Sequence, residues 1–111
     1  MSKEPTPLEQ SLGSFAPKLV QLTQEVVFAD VWERDGLSKR DRSLATVAAL
    51  VAMNRPDQLR FHLRFAIENG LTQEELVELI THLAFYAGWP CAMTAVNIAK
   101  EVFSVQDESK G

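Results

Sequence analysis

Apolar residues recur along this chain at three- and four-residue spacings, the period of an α-helix, and no stretch alternates as a half-buried strand would. Pro17, a residue suited to a first turn, opens a predicted helix to about Phe28. A short turn carrying Val31 and Trp32 follows, and Asp35-Gly36 closes it. Ser38 stands three residues before Asp41, a short-armed version of a capping box, and starts a helix to about Met53. From Val47 to Met53 every position is apolar, which suits the middle of a bundle or a contact between subunits. Asn54-Arg55-Pro56 interrupts it. A helix over 57–69 places Leu59, Leu63, Ala66 and Ile67 on one stripe, with Arg60, Arg64 and Glu68 opposite. Gly70 ends that helix, and Thr72 with Glu75 forms a full capping box for the next. There Leu76, Leu79, Ile80, Leu83 and Ala87 repeat as far as Gly88. Pro90 opens the last helix, whose stripe runs from Ala92 through Ala95, Val96, Ala99 and Val102 to Phe103. The prediction is an all-α bundle of about five to six helices.

A chain of 111 residues supports one hydrophobic core, assigned to residues 15–104, with 1–14 and 105–111 read as loosely held tails. A hydrophobic share of 46% against 23% charged places it among globular sequences and leaves enough apolar surface to favour an oligomer. The net charge of −4, with Lys and Arg unclustered, argues against a nucleic-acid partner and for a small molecule or protein. The single cysteine, Cys91, can form no internal disulfide, and Met1-Ser2-Lys3-Glu4-Pro5 is not the apolar core of a signal peptide; both point to the cytoplasm. Leu79 to Ala99 carries no charged residue, yet Gly88-Trp89-Pro90 breaks it and His82, Thr94 and Asn97 burden it, so two packed helices explain it better than a membrane span. Asp35-Gly36-Leu37-Ser38 and Asn69-Gly70-Leu71-Thr72 lie 34 residues apart and read as shared helix punctuation, since two units are too few for a solenoid.

Four places could carry chemistry. His62 falls beside Leu59, Leu63 and Ala66, so its ring turns inward, where surroundings tune a proton affinity near neutrality; a core histidine satisfied by a backbone carbonyl fits the same spacing. His82 follows Glu78 by four residues and suits an exposed ion pair. Cys91 begins a helix, where the dipole favours negative charge, but it lacks a second thiol. Arg40 and Arg42 flank Asp41 at a helix start, where an arginine can grip a carboxylate with two hydrogen bonds or simply face solvent. No His and carboxylate spacing supports a metal.

Gly36-Leu37-Ser38, Arg40-Asp41-Arg42, Phe61-His62-Leu63, Glu68-Asn69-Gly70-Leu71-Thr72 and Tyr86-Ala87-Gly88-Trp89-Pro90, in that order, resemble the carboxymuconolactone decarboxylase family of the AhpD-like superfamily over roughly residues 15–104. The resemblance implies helical subunits assembled into homo-trimers or homo-hexamers. The peroxidase branch of that superfamily uses a Cys-x-x-Cys pair, a histidine four residues later and a glutamate twelve residues earlier. Aligned on His62, the cysteine positions fall on Arg55 and Gln58 and the glutamate position on Ser43, so only the histidine is kept.

The decarboxylase branch lacks the cysteine pair and keeps the histidine and the Tyr-Ala-Gly-x-Pro turn, as here. It implies a lyase needing no cofactor and acting on a small acidic lactone or ring carboxylate. In that reading His62 is the general acid/base, Arg42 or Arg40 holds the carboxylate, and Trp32, Tyr86 and Trp89 wall the pocket. Two alternatives stay open: an AhpD-like thiol peroxidase using Cys91 with an external thiol, and a non-catalytic oligomeric binding subunit.

Overall fold

The helices that start at Pro7, Lys39 and Gln73 are capped by a side chain that accepts a free backbone N–H, those at Pro17 and Pro56 open on a proline, and left-handed backbone follows the helices at Asn54 and Gly70. In the computed structural model, which describes residues 5–110 apart from the side chains of 106 and 108–110, these signals divide the chain into two compact units, one up to Leu37 and one from Ser38 onward. Among the described residues the structure is helical with no strand, so the all-α expectation is borne out.

In the first unit, α1 (Pro7–Leu12) lies inside the segment expected to be a tail. The reason is local: the Thr6 hydroxyl accepts from the Glu9 N–H at 3.1 Å, and the Glu9 carboxylate accepts from the Thr6 N–H at 2.8 Å. α2 (Pro17–Leu22) begins at the expected proline but passes at Thr23 into a wider π-helical turn ending at Phe28. Gln24 in that turn donates to the Thr6 hydroxyl at 2.8 Å, tying the turn to the cap of α1. A single 3-10 turn over Val31–Glu33 follows, with buried Trp32 stacked on Phe28 at 6.1 Å between ring centres.

The second unit holds four helices: α3 (Lys39–Ala52), α4 (Pro56–Glu68), α5 (Gln73–Leu83) and α6 (Trp89–Lys110). Ser38 caps α3 by accepting from the Asp41 N–H at 3.0 Å, and Thr72 and Glu75 cap α5 reciprocally. The backbone reverses at Asn54 (φ 56°), Gly70 (φ 107°) and Gly88 (φ 107°), and glycine takes such angles without a Cβ clash. α5 stops earlier than its apolar repeat suggests: Phe85 and Tyr86 N–H groups bond to the carbonyls three residues back, tightening the chain into a turn before Gly88. α6 runs on past 105, through the segment read as a C-terminal tail.

The core joins Val47 and Val51 of α3, Leu59, Leu63 and Ala66 of α4, Leu76 and Ile80 of α5, and the small-residue stripe of α6 ending in Val102 and Phe103. Ala92, Ala95 and Ala99 let α6 approach its neighbours closely. The all-apolar stretch of α3 is not buried on every side: Ala49, Ala52 and Met53 face outward. Among the described residues no helix is long and apolar enough to cross a membrane.

Leu63 has no exposed surface. Leu63→Ala is expected to cost about 2–5 kcal/mol through lost burial and the cavity left behind, read as a lower urea midpoint with an unchanged slope. A loss below about 1 kcal/mol would show that Leu63 is not at the centre of the core.

Candidate active site

The α3–α4 hairpin is pinned by two kinds of contact. Apolar burial holds the helices face to face, and one polar contact fixes their sliding position: the Asn69 side-chain amide, at the C-terminal end of α4, donates to the hydroxyl of fully buried Ser43 at 2.9 Å. A hydroxyl removed from water costs free energy unless it is hydrogen-bonded, so this contact holds one register against its neighbours. Asn69 and His62 are seven residues apart, two helical turns, and therefore lie on nearly the same row of α4. His62 therefore sits about 10 Å along α4 from the Asn69–Ser43 contact at 1.5 Å per residue.

His62 is half-buried, with its Nδ1 atom shut off from solvent. Its ring meets Phe61 edge-on at 4.9 Å and Phe65 at 6.1 Å, and these two phenyl rings stack on each other at 5.4 Å. Burial pulls the imidazole below its ordinary value of 6.5, because the charged ring would give up hydration that nothing apolar can replace. At pH 7 the ring is neutral, with one nitrogen able to accept a proton and the other to donate one.

Arg42 precedes Ser43 and is half-buried, its Nε atom shielded from solvent, while its carbonyl accepts from the Thr46 hydroxyl at 2.7 Å. Arg40 has a different situation. Its guanidinium donates to the Glu75 carboxylate and lies 3.9 Å from Asp41. Glu75 also caps α5, so Arg40 links the starts of α3 and α5, and the Thr72 backbone N–H, more than Arg40, holds that carboxyl below the usual range.

The other residues singled out in the sequence lie elsewhere. Tyr86 and Trp89 are largely exposed at the α5–α6 corner, Tyr86 against His82 at 4.7 Å and Trp89 edge-on to Phe85 at 5.5 Å. Trp89 does wall a concavity, a groove of about 120 Å³ shared with Ile80, Thr81, Ala84, Ala92, Met93 and Val96, but no charged side chain lines it. Cys91 is half-buried in the first turn of α6. Trp32 belongs to the first unit. Among the described residues no group of three or more His, Cys, Asp or Glu is placed to hold a metal ion. Spacing does not single out Ser43, Asn69, Phe61 or Phe65 as a set; the available signal is two phenylalanines flanking one histidine, and an asparagine where a helix ends.

The α3–α4 hairpin thus carries one half-buried imidazole and, at the head of α3, a half-buried arginine, with Cys91 as the chain's single thiol. The chain belongs to the carboxymuconolactone decarboxylase family, whose pattern matches residues 17–101, so the resemblance seen in the motifs is borne out. It is 42% identical over 94 residues to a 4-carboxymuconolactone decarboxylase of Acinetobacter baylyi, covering 85% of this chain and 70% of that one. It is 32% identical over 84 residues to the nitrosuccinic acid decarboxylase npaB of Metarhizium robertsii, covering 76% of this chain and 59% of that protein. An uncharacterized 15.0 kDa protein of Paracoccus denitrificans is 33% identical over 102 residues, covering 89% of this chain and 75% of its own.

The depressed proton affinity of His62 has a sign that can be checked. As pH falls below 6.5, the unfolded chain takes up the proton first, so the native state loses stability down to the folded value and keeps all of it above 6.5. The His62 ring is expected to titrate below 6.5 by proton NMR, and His62→Gln to flatten the acid side of the stability profile. A midpoint at or above 6.5 would contradict the burial described here.

Proposed function

We propose that this protein is a decarboxylase of small organic acids, working without a cofactor, in which His62 moves the proton and Arg42 holds a carboxylate. The observation that carries the reading is the half-buried imidazole of α4, its Nδ1 shielded from solvent, in a chain 42% identical to a 4-carboxymuconolactone decarboxylase. Both named relatives are decarboxylases of acids, one a carboxylated lactone and the other a nitro acid. Each substrate places an electron-withdrawing group where it can receive the electron pair released as carbon dioxide leaves.

The chemistry asks three things of the protein. The carboxylate must be oriented so that the breaking carbon–carbon bond aligns with the accepting group, and a guanidinium does this with two parallel hydrogen bonds. The developing negative charge must be stabilised where water is scarce, which the burial of His62 Nδ1 and the half-buried Phe65 ring beside it favour. A proton must then reach carbon. An anionic substrate beside His62 favours the imidazolium, offsetting the burial that holds the free ring neutral, so the protonated ring forms with substrate bound and delivers its proton after carbon dioxide departs.

The proposal includes a cytoplasmic setting and a homo-oligomer, trimer or hexamer, which would cover apolar side chains that one copy leaves exposed. Arg40, engaged with Glu75, serves the architecture more directly than the substrate.

Carbon dioxide release from 4-carboxymuconolactone and from nitrosuccinic acid tests the reading. His62→Gln is expected to lower kcat by about 10²–10⁴, and Arg42→Lys to raise KM more than it lowers kcat. Cys91→Ser is expected to retain turnover, with no thiol-dependent hydroperoxide reduction in any variant. Peroxide turnover lost in Cys91→Ser, or inactivity toward every acid tried, would overturn the proposal in favour of a thiol peroxidase or a binding subunit.

A further inference from the structure

The turn between α4 and α5 touches the first turn of α3 at two points. At its start the Asn69 amide donates to the Ser43 hydroxyl at 2.9 Å, and at its end Glu75 accepts from the Arg40 guanidinium. The turn itself is tightly held. Gly70 reverses the chain at φ 107°, the N–H of buried Leu71 donates to the Ala66 carbonyl at 3.0 Å, and the reciprocal cap of Thr72 and Glu75 closes the segment. One carboxylate oxygen of Glu75 serves that cap, and the other serves Arg40. The two contacts reach α3 three positions apart, so they lie about 60° from each other on one face of the helix. Arg42 falls between them in sequence, yet it is about 100° from Ser43 and about 160° from Arg40 around the axis. The turn therefore grips the helix by a flank turned away from Arg42.

Stability explains neither contact well. The Arg40 and Glu75 side chains are 40% and 43% exposed, and an ion pair so open to water contributes little. Ser43 has no exposed surface, but a hydroxyl and its partner replaced together by apolar groups of the same shape cost almost nothing. What the two contacts supply is direction. Burial of Val47 and Val51 tolerates a small rotation of α3, whereas two polar contacts to separate neighbours do not. Small rotations matter at this place. With side chains reaching about 5–6 Å from a helix axis, a rotation of about 10° moves a side-chain tip by about 1 Å. A misplacement of about 1 Å can cost on the order of 10²-fold in a reaction that depends on alignment. A planar guanidinium fork needs such aim more than a flexible point charge does.

We propose that the turn from Asn69 to Glu75 is a two-point clamp that aims Arg42 at the substrate carboxylate, with Asn69 and Glu75 as positioning residues that act through α3. The proposal rests on the reading of Arg42 as the carboxylate grip and deepens it: the hold on the acid is set by residues that do not touch it.

Asn69→Ala and Glu75→Gln, each made in the wild type and in Arg42→Lys, test it, with circular dichroism to show that each variant is folded. Glu75→Gln keeps an oxygen for the Thr72 N–H but turns the other into an amide NH2 that cannot accept from Arg40. Each substitution is expected to raise KM for 4-carboxymuconolactone about tenfold while changing kcat less than about threefold. In the Arg42→Lys background the flexible ammonium needs no aim, so the same substitutions are expected to add less than about twofold to KM. A second readout needs no turnover: the Arg42 Nε–H, shielded from solvent, is expected to exchange its hydrogen faster in both variants by NMR. If one variant fails to fold, the other carries the test. An unchanged KM in the folded variants, or effects that multiply in full with Arg42→Lys as a merely structural contact predicts, would overturn the clamp. Failure of the underlying reading looks different, as no carbon dioxide release by the wild type or a wild-type KM in Arg42→Lys. The exchange rate then decides alone: faster exchange keeps the clamp on Arg42, and an unchanged rate overturns it.

Discussion

Burial of the facing apolar rows of α3 and α4 is the constraint on which the site depends. Val47 and Val51 on one helix and Leu59, Leu63 and Ala66 on the other are removed from water, and the short link through Asn54 holds the two helices antiparallel. Once Leu59, Leu63 and Ala66 must point into the core, the positions of every other α4 side chain follow at about 100° per residue. His62 then falls about 60° from the centre of the stripe, and Phe65 and Phe61 fall farther round on the same flank. The imidazole is half-buried for that reason: it stands at the border between the core and a small aromatic shelf. Hydrophobic burial has no direction of its own and tolerates sliding, so the Asn69 to Ser43 hydrogen bond adds what it lacks, a single register.

Arg40 and Arg42 show how one register separates two similar residues. They are two positions apart on α3, which puts them about 200° apart around the helix. Arg40 is directed to the cap of α5, where Glu75 accepts from both the Thr72 backbone and the guanidinium. The pair is well exposed on both sides, so it contributes modestly to stability, and its importance lies in joining two helix starts. Arg42, beside the buried Ser43, is half-buried at the head of α3. The same residue type two positions away serves a different purpose because the helix carries it to another face.

Short-range signals make much of this legible in the amino-acid sequence. The α4 stripe, the Thr72 and Glu75 capping box, the glycine reversals and the alanine-rich packing face of α6 are all set by period or by a cap within four residues. The helix at Pro7 is legible too, in Thr6 and Glu9, but a proline-bearing segment with few apolar residues reads as a tail when apolar period is the first test applied. The π-helical turn over 23–28 has no sequence signature at this level, since Gln24 meets Thr6 across 18 positions. Of the site, His62 and the arginines stand out by residue type. Ser43 does not, because its meaning comes from Asn69, 26 residues away, and a serine inside a helix gives no hint of a distant partner. Tyr86 and Trp89 are the opposite case: two conspicuous aromatics whose place in a motif says nothing about which way they face.

In the role proposed for it, the histidine would meet a general tension in cofactor-free proton transfer. An imidazole in water has a proton affinity suited to neutral pH but is surrounded by competing donors, and a buried one excludes water at the cost of disfavouring the charged form it must pass through. A half-buried ring between a core stripe and two phenyl edges meets both demands in part. Burial favours its neutral form, which limits the uncompensated charge that the native fold carries, and under the proposal an acidic substrate would supply the opposite charge that makes protonation favourable. Under that proposal the substrate would complete the electrostatics of the site it enters. Selectivity for acids would arise from that step as well as from the arginine, because a neutral molecule of the same shape would bind without raising the proton affinity of the ring.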